Sequence, residues 1–183
     1  PSNLPPVVDV TSPPELAGKM AKQFGLFKTI GWMIDTWSIK AGSIDDDTFF
    51  QDVDFTVDKD VEMVDANLAA DDWDVYMHYF EFTDRLQHVM WRHTDPLHPL
   101  YTPEGNAKYG DSILKSYQRM DAVVGRVMEK MPQGAALFVV SDHGFAPWRR
   151  IMNYNTWLAE NGYLWLKGQT DTDPANLQDL FDQ

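Results

Sequence analysis

The sequence contains no cysteine. Disulfide bridges, thiolate zinc sites and cysteine nucleophiles are therefore excluded. Basic residues are also few, with 15 Lys and Arg against 28 Asp and Glu, which gives a formal net charge of −13. Such a charge disfavours binding to a nucleic-acid duplex or an anionic membrane, because their phosphates attract basic surfaces. It leaves open a metal-dependent enzyme for phosphate esters, since bound cations invert the local charge of a site.

Long hydrophobic runs are absent as well. No apolar stretch approaches the roughly 20 residues that span a bilayer. The proline-rich first six residues have neither the basic nor the apolar region of a signal peptide. These features favour a cytoplasmic protein that makes no membrane contact. The 183 residues, 44% of them hydrophobic, are enough for one domain with a sizeable core.

Strand-like and helix-like patterns alternate along the chain and predict an α/β domain. Four segments have the β-prone composition of strands, at residues 27–34, 73–80, 136–141 and 163–166. Helical spacing of apolar residues and capping signals predict six helices, over 15–24, from Asp45, over 59–70, from about Thr83, over 106–131 and over 153–160. Because a strand, a long helix and a second strand form a parallel βαβ unit, we expect a mostly parallel sheet.

Two pairs of Asp and His follow predicted strands. Asp142 and His143 follow the strand at 136–141, and a helix starting near Thr83 places Asp84 and His88 four residues apart on one face. In open α/β sheets, ligands bind beyond the carboxyl ends of the strands, and both side-chain types bind metals. We therefore predict that the four residues meet at one sheet edge in a two-metal site.

Each pair also has a simpler interpretation. Ser-Asp-His-Gly at 141–144 is compatible with a turn that contains a capping Asp and a packed His. An Asp and a His four residues apart on a helix commonly form a surface hydrogen bond or ion pair. His78, inside the strand at 73–80, is predicted to be a packed core histidine rather than a ligand.

These segments resemble the type I phosphodiesterase/nucleotide pyrophosphatase-like proteins of the alkaline phosphatase superfamily. The resemblance extends from about residue 31 to 166. It is carried by Thr-Asp-Arg-Leu-Gln-His at 83–88, Trp91, His-Pro-Leu-Tyr at 98–101, Val-Ser-Asp-His-Gly-Phe at 140–145, Asn-Tyr-Asn-Thr-Trp-Leu at 153–158 and Asn-Gly-Tyr-Leu at 161–164.

The resemblance implies an alkaline phosphatase-like α/β/α sandwich and a site for two divalent ions, commonly zinc and sometimes manganese. Asp84 and His88 would bind one ion, and Asp142 and His143 the other. In the family, a Thr or Ser at a helix N-terminus attacks phosphorus, and water hydrolyses the covalent intermediate. The expected substrates are small-molecule phosphate esters or nucleotides.

The sequence departs from the family pattern at the nucleophile and at the later metal ligands. Met-Ile-Asp-Thr at 33–36 resembles the strand–Asp–nucleophile segment superficially but falls where the family has a later segment, and no His follows His143. We therefore expect one partial domain of a longer protein, with no nucleophile of its own and with little or no hydrolytic activity alone. The alternative is a non-catalytic domain of the same fold that binds a ligand or a partner. The partial domain would comprise an insertion or cap portion and a flanking strand at 1–72, the metal-site core at 73–166 and a loose tail at 167–183.

Overall fold

A computed structural model describes residues 10–29, 33–70, 72–147 and 152–164. The chain divides into two compact units, Pro1–Pro147 and Trp148–Gln183. The first unit contains the helices α1 (Glu15–Phe24), α2 (Thr36–Lys40), α3 (Asp46–Ala70), α4 (Phe82–Thr94), α5 (Pro103–Tyr109) and α6 (Ser112–Lys130). The described part of the second unit contains α7 (Tyr154–Glu160), which begins where the Asn153 side chain accepts a hydrogen bond from the Thr156 amide.

Helix α3 is the longest of the described helices, and α1, α2, α4 and α6 all contact it. The Asp45 carboxylate accepts a hydrogen bond from the Thr48 amide at 2.8 Å and so caps the helix start. No Gly or Pro interrupts the 25 residues that follow, so the two helices predicted here form one continuous helix. Its buried side chains recur every three or four residues and include Phe49, Val53 and Val57.

The hydrophobic core lies where α2, α3 and α4 meet. Its buried members are Ile34, Ile39, Phe49, Val53, Val57, Phe82, Leu86, Val89 and Met90. Each such side chain contributes about 1.5–3 kcal/mol by leaving water. Because Phe82, Leu86, Val89 and Met90 occupy one face of α4, the core fixes how that helix presents its other face.

Helix α6 packs on α3 and α4, and ion pairs align it with α3. Arg119 binds Asp54 at 2.7 Å and Asp58 at 2.8 Å, and one carboxylate, that of Asp65, binds both Arg126 and Lys130. The predicted helix over 106–131 is in fact divided into α5 and α6 at Gly110 and Asp111. Much of its predicted apolar stripe is exposed, as at Leu114, Tyr117 and Met128.

The predicted α/β sandwich with a mostly parallel sheet is wrong for the described residues, which contain helices and no strand. Residues 72–80 and 135–141 form neither helix nor strand. Residues 27–29 also form no strand, and the remainder of the strand predicted to start there falls partly on 30–32, outside the described residues. The strand predicted at 163–166 falls partly outside them too.

The physical reason is that β-prone composition favours an extended backbone, whereas a sheet also needs partner strands for its hydrogen bonds. Alternation along 72–80 does place Tyr76 and His78 against α3, where Tyr76 contacts Asn67 and His78 faces Asp60. The intervening side chains of Val75 and Met77 are 86% and 88% exposed. Phe138, Val139 and Val140 on the second segment are exposed as well.

Helix α1 is confirmed with the predicted bounds, Glu15–Phe24. Gly25 follows it with φ of +69°, a conformation that glycine adopts without strain. No described helix is both long enough and apolar enough to cross a membrane.

Candidate metal centre

The first turns of α4 present the first predicted pair. The Asp84 Oδ1 atom lies 3.5 Å from the His88 Nε2 atom, across one turn of the helix. The opposite face of the helix is anchored in the core by Phe82, Leu86 and Met90. Asp84 and His88 therefore point away from the core on a firmly packed helix, as the spacing predicts.

The segment after residue 141 brings the second pair to the same place. His143 Nε2 lies 3.7 Å from Asp84 Oδ1 and also 3.7 Å from Asp142 Oδ2. A turn holds this segment, because the Ser141 hydroxyl donates to the His143 carbonyl at 2.6 Å and the His143 amide donates to Asp142 Oδ1 at 3.1 Å. The sequence thus predicts four neighbouring residues, although helix α4 and a loop bring them together and not two strand ends.

One aromatic side chain, that of Phe145, contacts the His88 ring. The Phe145 ring meets the His88 ring edge-on at 5.0 Å and stacks on Trp91 at 5.4 Å between centroids. Such contacts restrict the orientation of the imidazole. We did not predict this role for Phe145; the signal is the position of Trp91 one turn after His88, together with the aromatic residue after His-Gly at 143–144.

The hydrogen bonds and charges around the two histidines differ. His143 Nδ1 lies 2.8 Å from the Gly144 carbonyl oxygen. If Nδ1 donates to that carbonyl, Nε2 has a free lone pair, as a metal ligand requires. The Gly144 carbonyl and then the Asp142 carboxylate raise the pKa of His143. Burial lowers the pKa of His88, although the nearby Asp84 carboxylate acts against this.

The donor atoms are of kinds that bind divalent ions in proteins. Asp84 Oδ1 is buried and has no hydrogen-bond partner, a state that costs free energy unless a cation or a proton donor approaches. Two ligands at zinc distances of about 2.0–2.1 Å in tetrahedral geometry lie roughly 3.3 Å apart, close to the 3.5 and 3.7 Å between Asp84 Oδ1 and the two imidazoles.

The arrangement is nevertheless open. In the part of the chain that the structure describes, no group of three or more His, Asp and Glu residues is placed to hold a metal ion. The Asp142 side chain is 77% exposed. The four side chains are of ligand types, but a metal site at this place would need further donors.

Among the aromatic residues near the site, Phe82 lies in the hydrophobic core at 4% exposure.

Arg85 follows Asp84 in the chain and binds Glu81 with an Nε–Oε2 distance of 3.3 Å. Its Nε atom also lies 3.8 Å from Asp84 Oδ2. This cation lies beside the carboxylates and offsets part of their charge.

Comparison with known proteins agrees with the motifs. The family model described as type I phosphodiesterase / nucleotide pyrophosphatase matches residues 6–179. Searches of curated proteins and of solved structures give no match.

Proposed function

Because the chain belongs to the type I phosphodiesterase / nucleotide pyrophosphatase family, we propose that it contributes to metal-dependent hydrolysis of phosphodiester or pyrophosphate bonds. The substrates are small-molecule phosphate esters or nucleotides. Asp84 and His88 bind one divalent ion, and Asp142 and His143 bind a second. Zinc suits this mixture of carboxylate and imidazole donors, and manganese is the other candidate.

The observation that carries the proposal is the approach of two imidazoles, from α4 and from the 141–147 loop, to one orphaned carboxylate oxygen on Asp84. A surface ion pair would leave that oxygen accessible to water. Here the oxygen is buried and lies 3.5 Å and 3.7 Å from two imidazole nitrogens without a hydrogen bond to either, which favours a cation bound at Asp84 over a hydrogen-bonded pair.

Two bound ions would supply electrostatic stabilisation for an attacking and a leaving oxygen on phosphorus. The residues of this chain hold and orient the site. Asp84 contributes a carboxylate oxygen and His88 an imidazole, whose ring contacts Phe145, which in turn stacks on Trp91. His143 offers Nε2 while its other nitrogen faces the Gly144 carbonyl.

We further propose that the described residues carry only part of the site, so that the chain alone has little or no hydrolytic activity. Two observations support this. No ready three-ligand group occurs among the described residues, and the two segments that lead to the site, 72–80 and 135–141, expose large apolar side chains such as Met77 and Val140. Additional polypeptide that covers those side chains would also supply the nucleophile and the remaining ligands.

The test is a zinc titration of the 183-residue chain in competition with a chromogenic chelator. We expect His143→Gln and Asp84→Asn each to weaken zinc binding by about tenfold or more, since loss even of outer-shell partners costs that much at metal sites. His98→Gln serves as the matched control, because His98 lies in a loop and binds the Leu100 amide. Equal zinc affinity in all four proteins would refute the site.

Hydrolysis is measured in the same samples with bis(p-nitrophenyl) phosphate. We expect no turnover above that of free zinc. If the unmodified chain shows turnover and His143→Gln abolishes it, the metal site is supported but the claim that the site is partial is wrong.

A second candidate function is a non-catalytic domain of the same family that binds a ligand or a partner. The open arrangement of the four donors favours it. A chain that binds neither zinc nor manganese in the titration would support this candidate over the first.

A further inference from the structure

A cavity of about 250 Å³ lies beside α1, α3 and the segment at residues 72–80. We call it the α1–α3 cavity. Methionine side chains adapt to ligands of different shapes because they are unbranched and polarisable. Cavities of about 150 Å³ bind benzene, so this one accommodates a substituted ring. Six apolar side chains line it, those of Val10, Met20, Phe27, Met33, Phe55 and Met63.

The Asp60 carboxylate lines the same cavity and has no cation bound to it. Its side chain is 11% exposed, and no hydrogen bond from another described residue reaches it. The His78 Nε2 atom lies 3.8 Å from Asp60 Oδ1, which is too long for a hydrogen bond. Burial lowers the pKa of His78, so this imidazole is neutral at pH 7 and leaves the carboxylate charge uncompensated.

The Asp60 oxygens are open to the cavity. The polar side-chain atoms that are both fully enclosed and unpartnered in the described part of the chain include His78 Nε2 but neither oxygen of Asp60. Since the Asp60 oxygens also lack a partner, they retain accessible surface that a ligand atom can reach. His78 Nε2 is enclosed and takes no part in binding.

We propose that the α1–α3 cavity binds a small organic ammonium ion, with its charged nitrogen at Asp60 and its apolar body against the methionine and phenylalanine side chains. The nitrogen donates a charge-assisted hydrogen bond to the carboxylate. The apolar body leaves water at the same time. The ligand thus supplies both of the contacts that the cavity lacks.

Two lysines also line the cavity, but each binds a carboxylate. Lys28 binds Asp52, and Lys59 donates to Glu62 at 2.6 Å. Their charges are therefore compensated, whereas that of Asp60 is not.

The potential at Asp60 favours a cation over a neutral molecule or an anion. The negative charge of Glu81 acts on Asp60 more strongly than the positive charge of Lys28 does. An ammonium group beside Asp60 is attracted by both carboxylates.

The test is an NMR titration of the ¹⁵N-labelled chain with benzylammonium chloride, with benzyl alcohol as the neutral probe and benzoate as the anionic one. At pH 7 we expect benzylammonium to bind about tenfold more tightly than benzyl alcohol, because only the cation gains the charge attraction. Benzoate should bind more weakly than either. Shift changes should concentrate at cavity residues such as Asp60 and Met63.

The affinity for benzylammonium should also rise with pH. Burial and Glu81 raise the pKa of Asp60 to about 6, so its ionised fraction grows from about 0.1 at pH 5 to about 0.9 at pH 7. We expect about tenfold tighter binding at pH 7 than at pH 5. Protonation of His78 at low pH would also weaken binding, but it persists in Asp60→Asn, so a comparison of the two proteins isolates Asp60.

Variants separate the charge from the apolar wall. Asp60→Asn should remove both the preference for benzylammonium and most of its pH dependence, while benzyl alcohol still binds. Phe55→Ala should weaken both probes alike, since Phe55 belongs to the wall. Asp58→Asn is the matched control, because the Asp58 side chain lies on α3 and is 77% exposed, and it should keep the preference.

Three outcomes would overturn the proposal: no binding of either benzylammonium or benzyl alcohol, equal affinities for the two in the unmodified chain, or an unchanged preference in Asp60→Asn.

Discussion

Asp60 makes the stability of this protein depend on pH in a defined direction. Its side chain is 11% exposed on α3. Burial, and then the negative charge of Glu81, raises its pKa from 3.8 to about 6, although Lys28 acts against this. The folded state therefore favours the protonated form, and the ionised carboxylate destabilises the fold.

The size of the effect follows from the two pKa values. Above pH 6, the ionised carboxylate costs about 3 kcal/mol of unfolding free energy, since each pKa unit corresponds to about 1.4 kcal/mol. The cost shrinks as the pH falls through 6 and is nearly absent below 3.8. Asp60→Asn removes the titration but keeps the shape, so the variant should be more stable than the unmodified chain by about 3 kcal/mol at pH 7 and by about 0.5 kcal/mol at pH 4.

Urea unfolding at pH 4, 5, 6 and 7, followed by circular dichroism, measures this difference. His78 faces Asp60, and burial lowers its pKa, so protonation of His78 destabilises both proteins at low pH and largely cancels in the difference. Asp58→Asn, which changes an exposed carboxylate on the same helix that pairs with Arg119, is the control and should change the free energy of unfolding far less than Asp60→Asn does at pH 7. A constant difference between Asp60→Asn and the unmodified chain would refute the assigned pKa.

Three further predictions concern the core, the surface ion pairs and the exposed segment at residues 72–80. Leu86→Ala should cost about 2–5 kcal/mol of unfolding free energy, because Leu86 is 1% exposed in the core. Arg126→Ala should cost only a small fraction of the loss caused by Leu86→Ala, since Arg126 is half exposed although it binds Asp65; a loss as large as that of Leu86→Ala would contradict this ranking. Met77→Lys should leave the unfolding free energy nearly unchanged and reduce binding of the dye ANS, because Met77 is 88% exposed in an apolar segment; strong destabilisation would show that Met77 is covered.

Features that depend on local sequence were the predictable ones. Helix α1 ends at Gly25, as predicted, because this glycine directly follows the last apolar residue, Phe24, and adopts the positive φ that commonly ends a helix. The Asp84 and His88 pair follows from helical spacing alone. The approach of His143 to Asp84 was also predicted, although from a sheet that the described residues lack.

The lack of strand pairing among the described residues could not be predicted from composition, because pairing depends on the rest of the fold. Residues 72–80 alternate as a strand would, and Tyr76 and His78 pack against α3, yet the other face has no cover. The break between α5 and α6 was also missed. Gly110 lies against the Asn106 carbonyl, which is 2.6 Å from where a Cβ would stand, a contact that helical periodicity does not reveal.

The most direct test of the metal site is anomalous scattering from crystals of the chain grown with zinc, with data collected on both sides of the zinc absorption edge. The proposal predicts an anomalous peak at about 2.0–2.2 Å from Asp84 Oδ1 and His88 Nε2, and a second at His143 and Asp142. Ordered Asp84, His88, Asp142 and His143 side chains with no anomalous peak beside them, at a zinc concentration that labels other sites, would contradict it.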